Sequence, residues 1–399
     1  MRKPNEHLMA TEALAAWNDR SAPSAAVDTL TLRCELITPM YGGGVTAGEV
    51  DAALPIRASA LRGQLRFWWR LLHGQGRPPR ETFAAETAIW GGIAQNGPTA
   101  SRVAVSVTAK PVAATDLIAR SQMRVFPSYT LILDPGADPQ LLRAGYRFQM
   151  ALRFAADLRD DQQAQVLNSI RWWANFGGVG ARTRRGLGTV KMQGDWQERP
   201  LLPVSQDEVT TQGGILRLGE AVTDAIDAWD KTVKALQRFR QGPDLGRNRG
   251  EGNRPGRSLW PEPDSIRRLT HRHAAKHAPE HPVDGVYPRA VFGLPIIFHF
   301  KDPGEPQDHT LIPDHDADRM ASPLILRPYW NGQRYQPAAL LLPGWEQRLQ
   351  VRVGFGNGPF RSAWPTDPAE RQRLAAQIKP MQTRGDDPLT AFMDYFEKG

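Results

Sequence analysis

The residues best suited to chemistry in this sequence are glycines and arginines clustered between residues 176 and 190. The segment reads FGGVGARTRRGLGTV. Glycine permits positive φ and lets another chain approach main-chain N–H groups, while arginine neutralises phosphate groups. The pattern favours binding of RNA or phosphate, with a solvated hairpin loop as the alternative. The candidate contacts are Gly177, Gly178, Gly180, Arg182, Arg184 and Arg185.

Nucleotide chemistry is not indicated by this segment. It does not end in the Gly-Lys-Ser/Thr of a phosphate-binding loop of nucleotide hydrolases, and its spacing does not match the GxGxxG of dinucleotide-binding folds. We therefore expect a binding loop, hereafter the second glycine loop (residues 177–188), and no hydrolysis of nucleotides.

A second basic segment, LPIRASALRGQLRFWWR, spans residues 54–70. Arg62, Arg66 and Arg70 are four residues apart, so on a helix they form one stripe beside an apolar face. A first glycine loop (residues 42–48) comes just before, and the free N–H groups at a helix N-terminus attract phosphate. The stripe predicts either a nucleic-acid contact or an ordinary solvated helix face.

Carboxylates and histidines elsewhere form no catalytic pattern. Glu49 and Asp51 lie in a loop without a histidine or metal partner in the pattern, so we assign them no catalytic role. Four histidines between residues 271 and 281 include a spacing that can bind metal on a helix, but Pro279 and Pro282 interrupt any such helix. A further polar cluster at 309–316 is interpreted as a loop. We expect no metal and no cofactor.

Composition and charge restrict the class of protein. The chain has 399 residues, 41% of them hydrophobic, and a formal net charge of +8, which is typical of a globular protein of two to three domains. Arginine supplies 41 of the 50 basic residues, which favours nucleic-acid contact, although a genome rich in G and C produces the same excess.

Cysteine usage and hydropathy predict a cytoplasmic protein. Cys34 is the single cysteine, so no intramolecular disulfide can form. No apolar stretch approaches the roughly 18 to 20 residues of a membrane span, and the first residues contain no apolar core typical of a secretion signal. We expect no membrane contact.

The elements that must position these loops follow a regular order in the first half. Alternating patterns predict strands at 30–36, 103–107, 146–154 and 187–192, and helical spacing predicts helices at 59–73 and 160–174. This order predicts a split βαβ, ferredoxin-like domain at residues 28–200, with insertions near 74–100 and 111–140. Residues 1–27 are predicted to be a poorly ordered leader.

The second half, residues 201–399, also mixes helices and strands. A long helix at about 220–240 precedes a loop rich in arginine and glycine at 242–257. Strands are predicted at 292–300, 322–329, 337–342 and 347–353, and helices at 368–379 and 387–397. The overall class is therefore α+β, and a degenerate duplication of one fold is an open alternative.

Five motifs in order resemble the RAMP superfamily of CRISPR proteins, and more narrowly the family of first RAMP subunits of Cmr (type III-B) RNA-guided effector complexes. The motifs are LPIRASALRGQLRFWWR, FGGVGARTRRGLG, RSLWPEPDSIR (257–267), FGLPIIF (292–298) and ASPLILR (321–327). The resemblance covers roughly residues 28–330 and is less distinct afterwards.

The resemblance implies two ferredoxin-like (RRM-like) domains and a subunit without nuclease activity. In that family the subunit lies near the 3′ end of the guide RNA, beside other RAMP subunits, and helps to capture target RNA. The implied partners are guide RNA and/or single-stranded target RNA. The implied RNA contacts are Arg57, Arg62 and Arg66, the second glycine loop, and Arg257 with Trp260, since an aromatic beside an arginine can stack on a base.

Two other functions are left open by the sequence. Backbone RAMP subunits carry a cleaving aspartate in the loop of Asp51, but the flanking pattern differs here, so that activity is not transferred. The main alternative is a metal-independent CRISPR endoribonuclease that matures guide precursor RNA. The third hypothesis is a purely structural cap that contacts only other subunits.

Overall fold

The computed structural model describes residues 29–94, 97–134, 136–193, 195–196, 199–200, 202–252, 256–314, 318–346, 349–354 and 360–398. The predicted leader, residues 1–27, lies outside these ranges.

The first half is built around one antiparallel sheet. Its elements are β1 (Thr29–Leu36), α1 (Ala58–His73), α2 (Pro79–Trp90), β2 (Gly92–Ala94), β3 (Gly97–Thr99), β4 (Val103–Ala109), β5 (Leu117–Ala119), β6 (Gln140–Leu142), β7 (Arg147–Phe154), α3 (Asp160–Phe176), β8 (Val190–Gln193), β9 (Asp195–Trp196) and β10 (Arg199–Pro200). The main sheet has the order β4-β7-β1-β8. Its chain order of strand, helix, two strands, helix and strand agrees with the order that the sequence predicts for residues 28–200.

Alternation along β1 explains how the sheet buries one face. In β1 every second side chain is buried, Cys34 among them, while Thr31 and Arg33 are exposed. Cys34 pairs with Phe148 on one side and Met192 on the other. Burial raises the pKa of the Cys34 thiol to about 12, so this cysteine is a neutral core residue, as the alternation predicts.

Helices α1 and α3 cover the buried face of the sheet. Trp68 on α1 lies 6.2 Å from both Trp172 and Phe176 on α3, measured between ring centroids. The indole of Trp173 donates a hydrogen bond to the side chain of Gln64 at 2.8 Å. These contacts fix the middle of α1 relative to the C-terminal part of α3, after which the second glycine loop begins.

The second half contains a smaller sheet with its own helices. Its elements are α4 (Gln206–Thr211), β11 (Ile215–Leu218), α5 (Ala225–Gln241), α6 (Glu262–Thr270), β12 (Ile296–Phe298), β13 (His309–Pro313), β14 (Leu324–Trp330), β15 (Tyr335–Leu341), β16 (Gln350–Val353), β17 (Phe360–Ser362), α7 (Pro368–Ala375) and α8 (Pro388–Lys398). The sheet has the order β11-β15-β14, and α5 packs against β14 and β15.

This second sheet does not confirm a complete second ferredoxin-like domain. Its three strands have the same relative order as β1, β7 and β4, but no strand of the described residues pairs with the outer edge of β11. The chain passes from β15 into β16, which belongs to a separate sheet of order β12-β13-β16-β17. The predicted second domain is therefore mixed α and β, with a three-stranded sheet and an inserted four-stranded one.

The inserted region is held by buried ion pairs. Arg267 on α6 pairs with Glu305 at 2.9 Å and with Asp264 at 2.8 Å, and Arg289 pairs with Glu262 at 3.0 Å. The three carboxylates are buried. Because each one has an arginine partner, none of the three is left as an unpaired buried charge.

Candidate nucleic-acid interface

The second glycine loop connects α3 to β8 and packs directly against the first glycine loop. The N–H of Ala181 donates to the Tyr41 carbonyl at 2.7 Å. Gly180 has φ +78°, and a Cβ there would lie 2.6 Å from both the Met40 side chain and the Tyr41 carbonyl. Only glycine allows this approach. The shape of the loop is thus set by contacts with Met40 and Tyr41, just before the first glycine loop.

Gly177 and Gly178 serve packing inside the protein, so the sequence-based prediction that they accommodate RNA is not what the geometry favours. The Gly177 N–H donates to the Trp173 carbonyl at 2.6 Å, and a Cβ at Gly177 would lie 2.2 Å from the Trp173 ring. Gly178 is buried, and a Cβ there would lie 2.8 Å from the Gly188 carbonyl oxygen. Both positions require glycine for the turn out of α3. Gly180 is exposed.

Arg182 is the exposed cation of the second glycine loop. It adopts a left-handed conformation with φ +60° just before the short 3-10 turn Thr183–Arg185. Its side chain is exposed and has no hydrogen-bond or ion-pair partner among the described residues. An arginine held on a closely packed loop with its guanidinium in solvent is well placed to contact a phosphate.

Arg184 and Arg185 instead face the second half of the protein and are half-buried, so their predicted RNA contact stays a prediction. Arg184 donates to the Ser322 carbonyl and lies 5.7 Å from the Phe67 ring centroid. Arg185 donates to the carbonyls of Leu324 at 3.3 Å and Phe292 at 3.2 Å. Burial lowers the pKa of Arg184, and burial together with other arginines lowers that of Arg185 to about 10.

Arg327 completes this junction and was missed by sequence reasoning. Its guanidinium is buried and donates to the carbonyls of Gly177 at 2.5 Å, Ala174 at 3.2 Å and Val190 at 3.2 Å. It therefore satisfies carbonyls at the C-terminal end of α3 and the start of β8. The sequence contains one signal of this buried position, since Arg327 ends the apolar run LILR (residues 324–327).

The arginine stripe of α1 is covered by α2, so the predicted RNA contacts Arg62 and Arg66 are used inside the protein. Arg66 Nε and Arg70 Nη1 bind the same oxygen of buried Glu86 at 2.5 and 2.7 Å. Arg62 donates to the Trp90 carbonyl. The physical reason is the insertion after α1, because helical spacing identifies a basic face and does not identify the element that covers it.

The first glycine loop is fixed to the start of α1 by Arg57. Its exposed guanidinium donates to the carbonyls of Gly43 at 2.5 Å and Gly44 at 3.2 Å. In the same loop, Asp51 accepts the N–H groups of Ala53 and Leu54, both at 2.9 Å. This carboxylate closes a turn. Arg57 is exposed and lies beside the second glycine loop, which contains Arg182.

Arg257 and Trp260 are not available to RNA, which corrects that prediction. Arg257 binds both carboxylate oxygens of Asp264, at 2.9 and 3.0 Å, and also pairs with Glu280. Trp260 is 1% exposed and lies 5.6 Å from the Phe239 ring centroid. A tryptophan in the core cannot stack on a base, so the pair is structural.

Histidines and metal-binding groups add nothing to this surface. His277 contacts Glu305 at 2.8 Å in the inserted region, and residues 315 and 316 of the polar cluster at 309–316 lie outside the described residues. Within the described ranges, no three His, Cys, Asp or Glu side chains are grouped as a metal site would require. None of the helices there is both long and apolar enough to span a membrane.

A concave surface lies beside the second glycine loop. A cavity of about 290 Å³ is bordered by Gln64 and Phe67 on α1 and by Thr183 and Arg184. A larger cleft of about 640 Å³ between the two halves shares Phe67 and Arg184 with it. Exposed Arg319 and half-buried Trp345 also line that cleft. Arginine and aromatic side chains in one groove can combine phosphate contact with base stacking.

The comparison with protein families identifies this part of the chain. The model of the RAMP superfamily matches residues 33–191. This stretch is a RAMP superfamily domain. It runs from β1 to the start of β8, so the RAMP domain contains both glycine loops and Arg182. The resemblance that the motifs indicate is confirmed for this part. No curated protein matches the chain.

Solved structures give weaker likenesses. Cmr1 from Pyrococcus furiosus is similar over 79% of this chain and 87% of its own, with 14% identity and a TM-score of 0.46. A chain of the type III-B Cmr-beta assembly bound to cognate target RNA and AMPPnP is similar over 93% of this chain and 99% of its own, with 8% identity and a TM-score of 0.44. At TM-scores below 0.5, these likenesses carry no argument about function.

Proposed function

We propose that this protein is a non-catalytic RNA-binding subunit of a type III-B CRISPR effector complex. It lies near the 3′ end of the guide RNA and helps to capture target RNA in antiviral defence. Its partners are guide RNA and/or single-stranded target RNA, together with other RAMP subunits of a Cmr complex in the cytoplasm. Base pairing between the two RNAs supplies sequence specificity, and the protein supplies phosphate contacts.

The observation that carries the proposal is the position of Arg182. It is exposed and without a partner among the described residues, on a loop whose shape is fixed by contacts with Met40 and Tyr41. Arg57 is exposed on the neighbouring loop, and the groove containing Arg184 and Phe67 begins beside it. A single strand can therefore be held through its backbone while a base enters the groove.

The lining of the smaller cavity supports binding over cleavage. Metal-independent cleavage of RNA needs a group that moves a proton near the scissile phosphate, usually a histidine, lysine or tyrosine. The cavity is lined by Ala60, Gly63, Gln64, Phe67, Trp68, Phe176, Gly177, Thr183, Arg184 and Ile325. None of these is a general acid or base at neutral pH, so the smaller cavity itself offers no group for proton transfer at a scissile phosphate.

The order of the strands in the two main sheets also agrees with the proposed function. We propose that both halves are built on one ferredoxin-like (RRM-like) unit, of which the described residues of the second half form three of the four strands. The common order of β1, β7 and β4 and of β11, β15 and β14 supports this. Two such units face each other across the groove.

The first test is the effect of Arg182→Ala on binding of single-stranded RNA to the full-length protein. Loss of one phosphate contact should weaken binding to unrelated sequences alike and reduce the salt slope by about 0.7. Arg77→Ala is a matched control, because Arg77 is exposed beyond the C-terminal end of α1, a helix about 24 Å long at 1.5 Å per residue. An unchanged slope with Arg182→Ala would contradict the assignment of this contact.

The second test is affinity purification of the tagged protein after co-expression with its neighbouring genes and a repeat array. The proposal predicts guide RNA and several RAMP subunits in the purified material. Incubation of the protein with repeat RNA in EDTA distinguishes the alternative, because site-specific cleavage there would establish a nuclease. Recovery of the protein without RNA and without RAMP subunits would overturn the proposal.

A further inference from the structure

Four arginine side chains from different segments lie over the Tyr129 ring or interact with Tyr129 electrostatically. Tyr129 belongs to the 3-10 turn Ser128–Thr130 in an insertion of the RAMP domain. The Arg240 guanidinium, near the end of α5, lies 5.8 Å from the Tyr129 ring centroid and 5.5 Å from that of Phe292. Arg185 reaches the same place, since it donates to the Phe292 carbonyl at 3.2 Å. This arginine cluster consists of Arg185, Arg240, Arg247 and Arg289.

The cluster has too few negative charges. Glu262 is the carboxylate that pairs with it among the described residues, and it is bound to Arg289 at 3.0 Å. Arg185 donates only to carbonyls, and Arg247 donates to the Gly256 carbonyl at 3.3 Å. Four formal positive charges thus face one negative charge in a partly dehydrated region, where charge repulsion is stronger than in water.

Two guanidinium groups of the cluster also have unused donors. Arg289 is 5% exposed, and its Nη2 is buried without a hydrogen-bond partner; the Nε of Arg240 is in the same state. No described residue forms a hydrogen bond or ion pair with the Arg240 side chain. A buried donor without an acceptor is costly, so two such donors on arginines that repel each other indicate a missing acceptor group.

The titration behaviour agrees with crowding of like charges. Burial, and next the charge of Arg240, lower the pKa of Arg185 to about 10. Burial lowers the pKa of Arg247, and Arg289 lowers it further. Burial also lowers the pKa of Arg289, with Glu262 opposing and Arg240 adding to the shift. Each shift means that the cationic form is disfavoured in the protein without an anion.

We propose that the arginine cluster is a binding site for a phosphate group. A phosphate supplies both the negative charge and the acceptor oxygens that the cluster lacks, and the planar guanidinium matches its geometry. Arg185, Arg240, Arg247 and Tyr129 are only half-buried, so the group can enter from solvent. If the function proposed above holds, the phosphate is a phosphodiester of bound RNA that continues past Arg182 along the second glycine loop.

The first experiment measures thermal unfolding of the full-length protein with inorganic phosphate against chloride at equal ionic strength. Phosphate should raise the unfolding temperature of the wild type saturably, by about 2 °C or more, and should not raise that of Arg240→Gln. Without phosphate, Arg240→Gln should be at least as stable as the wild type, because a repelled charge has been removed. A merely structural role for Arg240 would give the opposite sign.

Arg238→Gln is the matched control for this experiment. Arg238 lies on the same helix, is exposed and has no partner among the described residues. The control should respond to phosphate as the wild type does. If the wild type gains no more stability from phosphate than from chloride, or if both variants respond equally, the site is overturned.

The second experiment separates RNA from free phosphate as the source of the bound group. Binding of a labelled single-stranded RNA should weaken about tenfold in Arg240→Gln, with the salt slope reduced by about 0.7, and inorganic phosphate should compete in the wild type. Phosphate stabilisation with unchanged RNA affinity would assign the site to a free phosphate compound. Phosphate stabilisation of a protein that binds no RNA at all would retain the site and overturn the proposed function.

Discussion

Arg327 carries its charge inside the protein without a carboxylate partner among the described residues. Burial lowers its pKa to about 9, and its donors satisfy three carbonyls of the RAMP domain. Arg184 and Arg185 make the same kind of contact in the other direction. At the scale of single residues, these arginines join the two halves because each donates hydrogen bonds to backbone carbonyls of the other half. Other arginines, such as Arg182, present their charge to solvent.

The different roles of these arginines show what cannot be predicted from residue types alone. The sequence identifies the second glycine loop as important and Arg182 as a candidate contact, because glycine and arginine types are visible directly. It cannot separate Arg182 from Arg184 and Arg185, which are two and three positions away, since the direction of each side chain depends on the contact with Ser322, Leu324 and Phe292. That contact joins residues more than 100 positions apart.

Replacement of Arg327 by alanine should destabilise the protein by about 3 kcal/mol. The substitution leaves the carbonyls of Ala174, Gly177 and Val190 without their donor in a buried site, and each such group costs about 1 to 3 kcal/mol, offset in part by removal of a desolvated charge. Urea unfolding followed by tryptophan fluorescence measures the change. Arg334→Ala, at an exposed turn between β14 and β15, should change stability by less than about 0.5 kcal/mol. Equal stabilities of the two variants would contradict the structural role of Arg327.

At the scale of elements, the position of α2 determines which groups bind the arginines of the basic stripe on α1. Helical spacing correctly predicts α1 and its two faces, and the turn signals correctly predict an insertion after it. Neither pattern predicts that Glu86 binds the basic face, because Glu86 lies in a helix whose position depends on the whole RAMP domain. The same limit applies to β16, whose alternation predicts a strand but not the sheet that it joins.

Glu86→Gln should weaken the packing of α2 on α1. Glu86 is 3% exposed and receives both Arg66 and Arg70, so its neutralisation leaves two arginines with a weaker acceptor. We expect a loss of about 2 kcal/mol in the free energy of unfolding. The matched control is Glu81→Gln, since Glu81 is exposed in the first turn of the same helix.

Hydrogen exchange of α2 amides supplies a second measure of the Glu86 contact. Exchange should accelerate in Glu86→Gln and remain at the wild-type rate in Glu81→Gln, because local opening of α2 becomes less costly only in the former. If RNA affinity rises in Glu86→Gln while stability is unchanged, the stripe on α1 would be an RNA surface after all.

At the scale of the whole molecule, the two halves are joined by contacts of several kinds. Gly186 of the second glycine loop lies so close to α5 that a Cβ would be 2.5 Å from the Trp229 ring. Lys191 on β8 lies 3.6 Å from the Trp330 ring centroid on β14. Arg171 on α3 pairs with Glu208 on α4 at 2.7 Å. Composition and periodicity predict two α+β halves but give no information on this junction, because all of its contacts are distant in sequence.

The Arg171–Glu208 pair gives the junction a pH dependence of defined sign. Hydrogen bonds from Arg171, with smaller contributions from Ser205, lower the pKa of Glu208 from 4.5 to about 2. The unfolded chain therefore binds this proton more readily than the folded protein does. The stabilisation by Glu208 is complete above pH 4.5 and is lost as the pH falls toward 2. Because the Glu208 side chain is 43% exposed, solvent screening reduces its size.

Glu208→Gln should accordingly be less stable than the wild type at pH 7, and the two proteins should converge as the pH approaches 2. Urea unfolding at pH 7, 5, 4 and 3 measures the difference in the free energy of unfolding at each step. Subtraction of the two curves removes the contributions of other carboxylates such as Asp264 and Glu305, which are unchanged in the variant. Glu220→Gln, at an exposed site, should differ little from the wild type at any pH. A difference between Glu208→Gln and the wild type that stays constant from pH 7 to 3 would contradict the lowered pKa of Glu208, because stabilisation by the charged carboxylate, through Arg171 or through Ser205, must decrease as the pH falls toward 2.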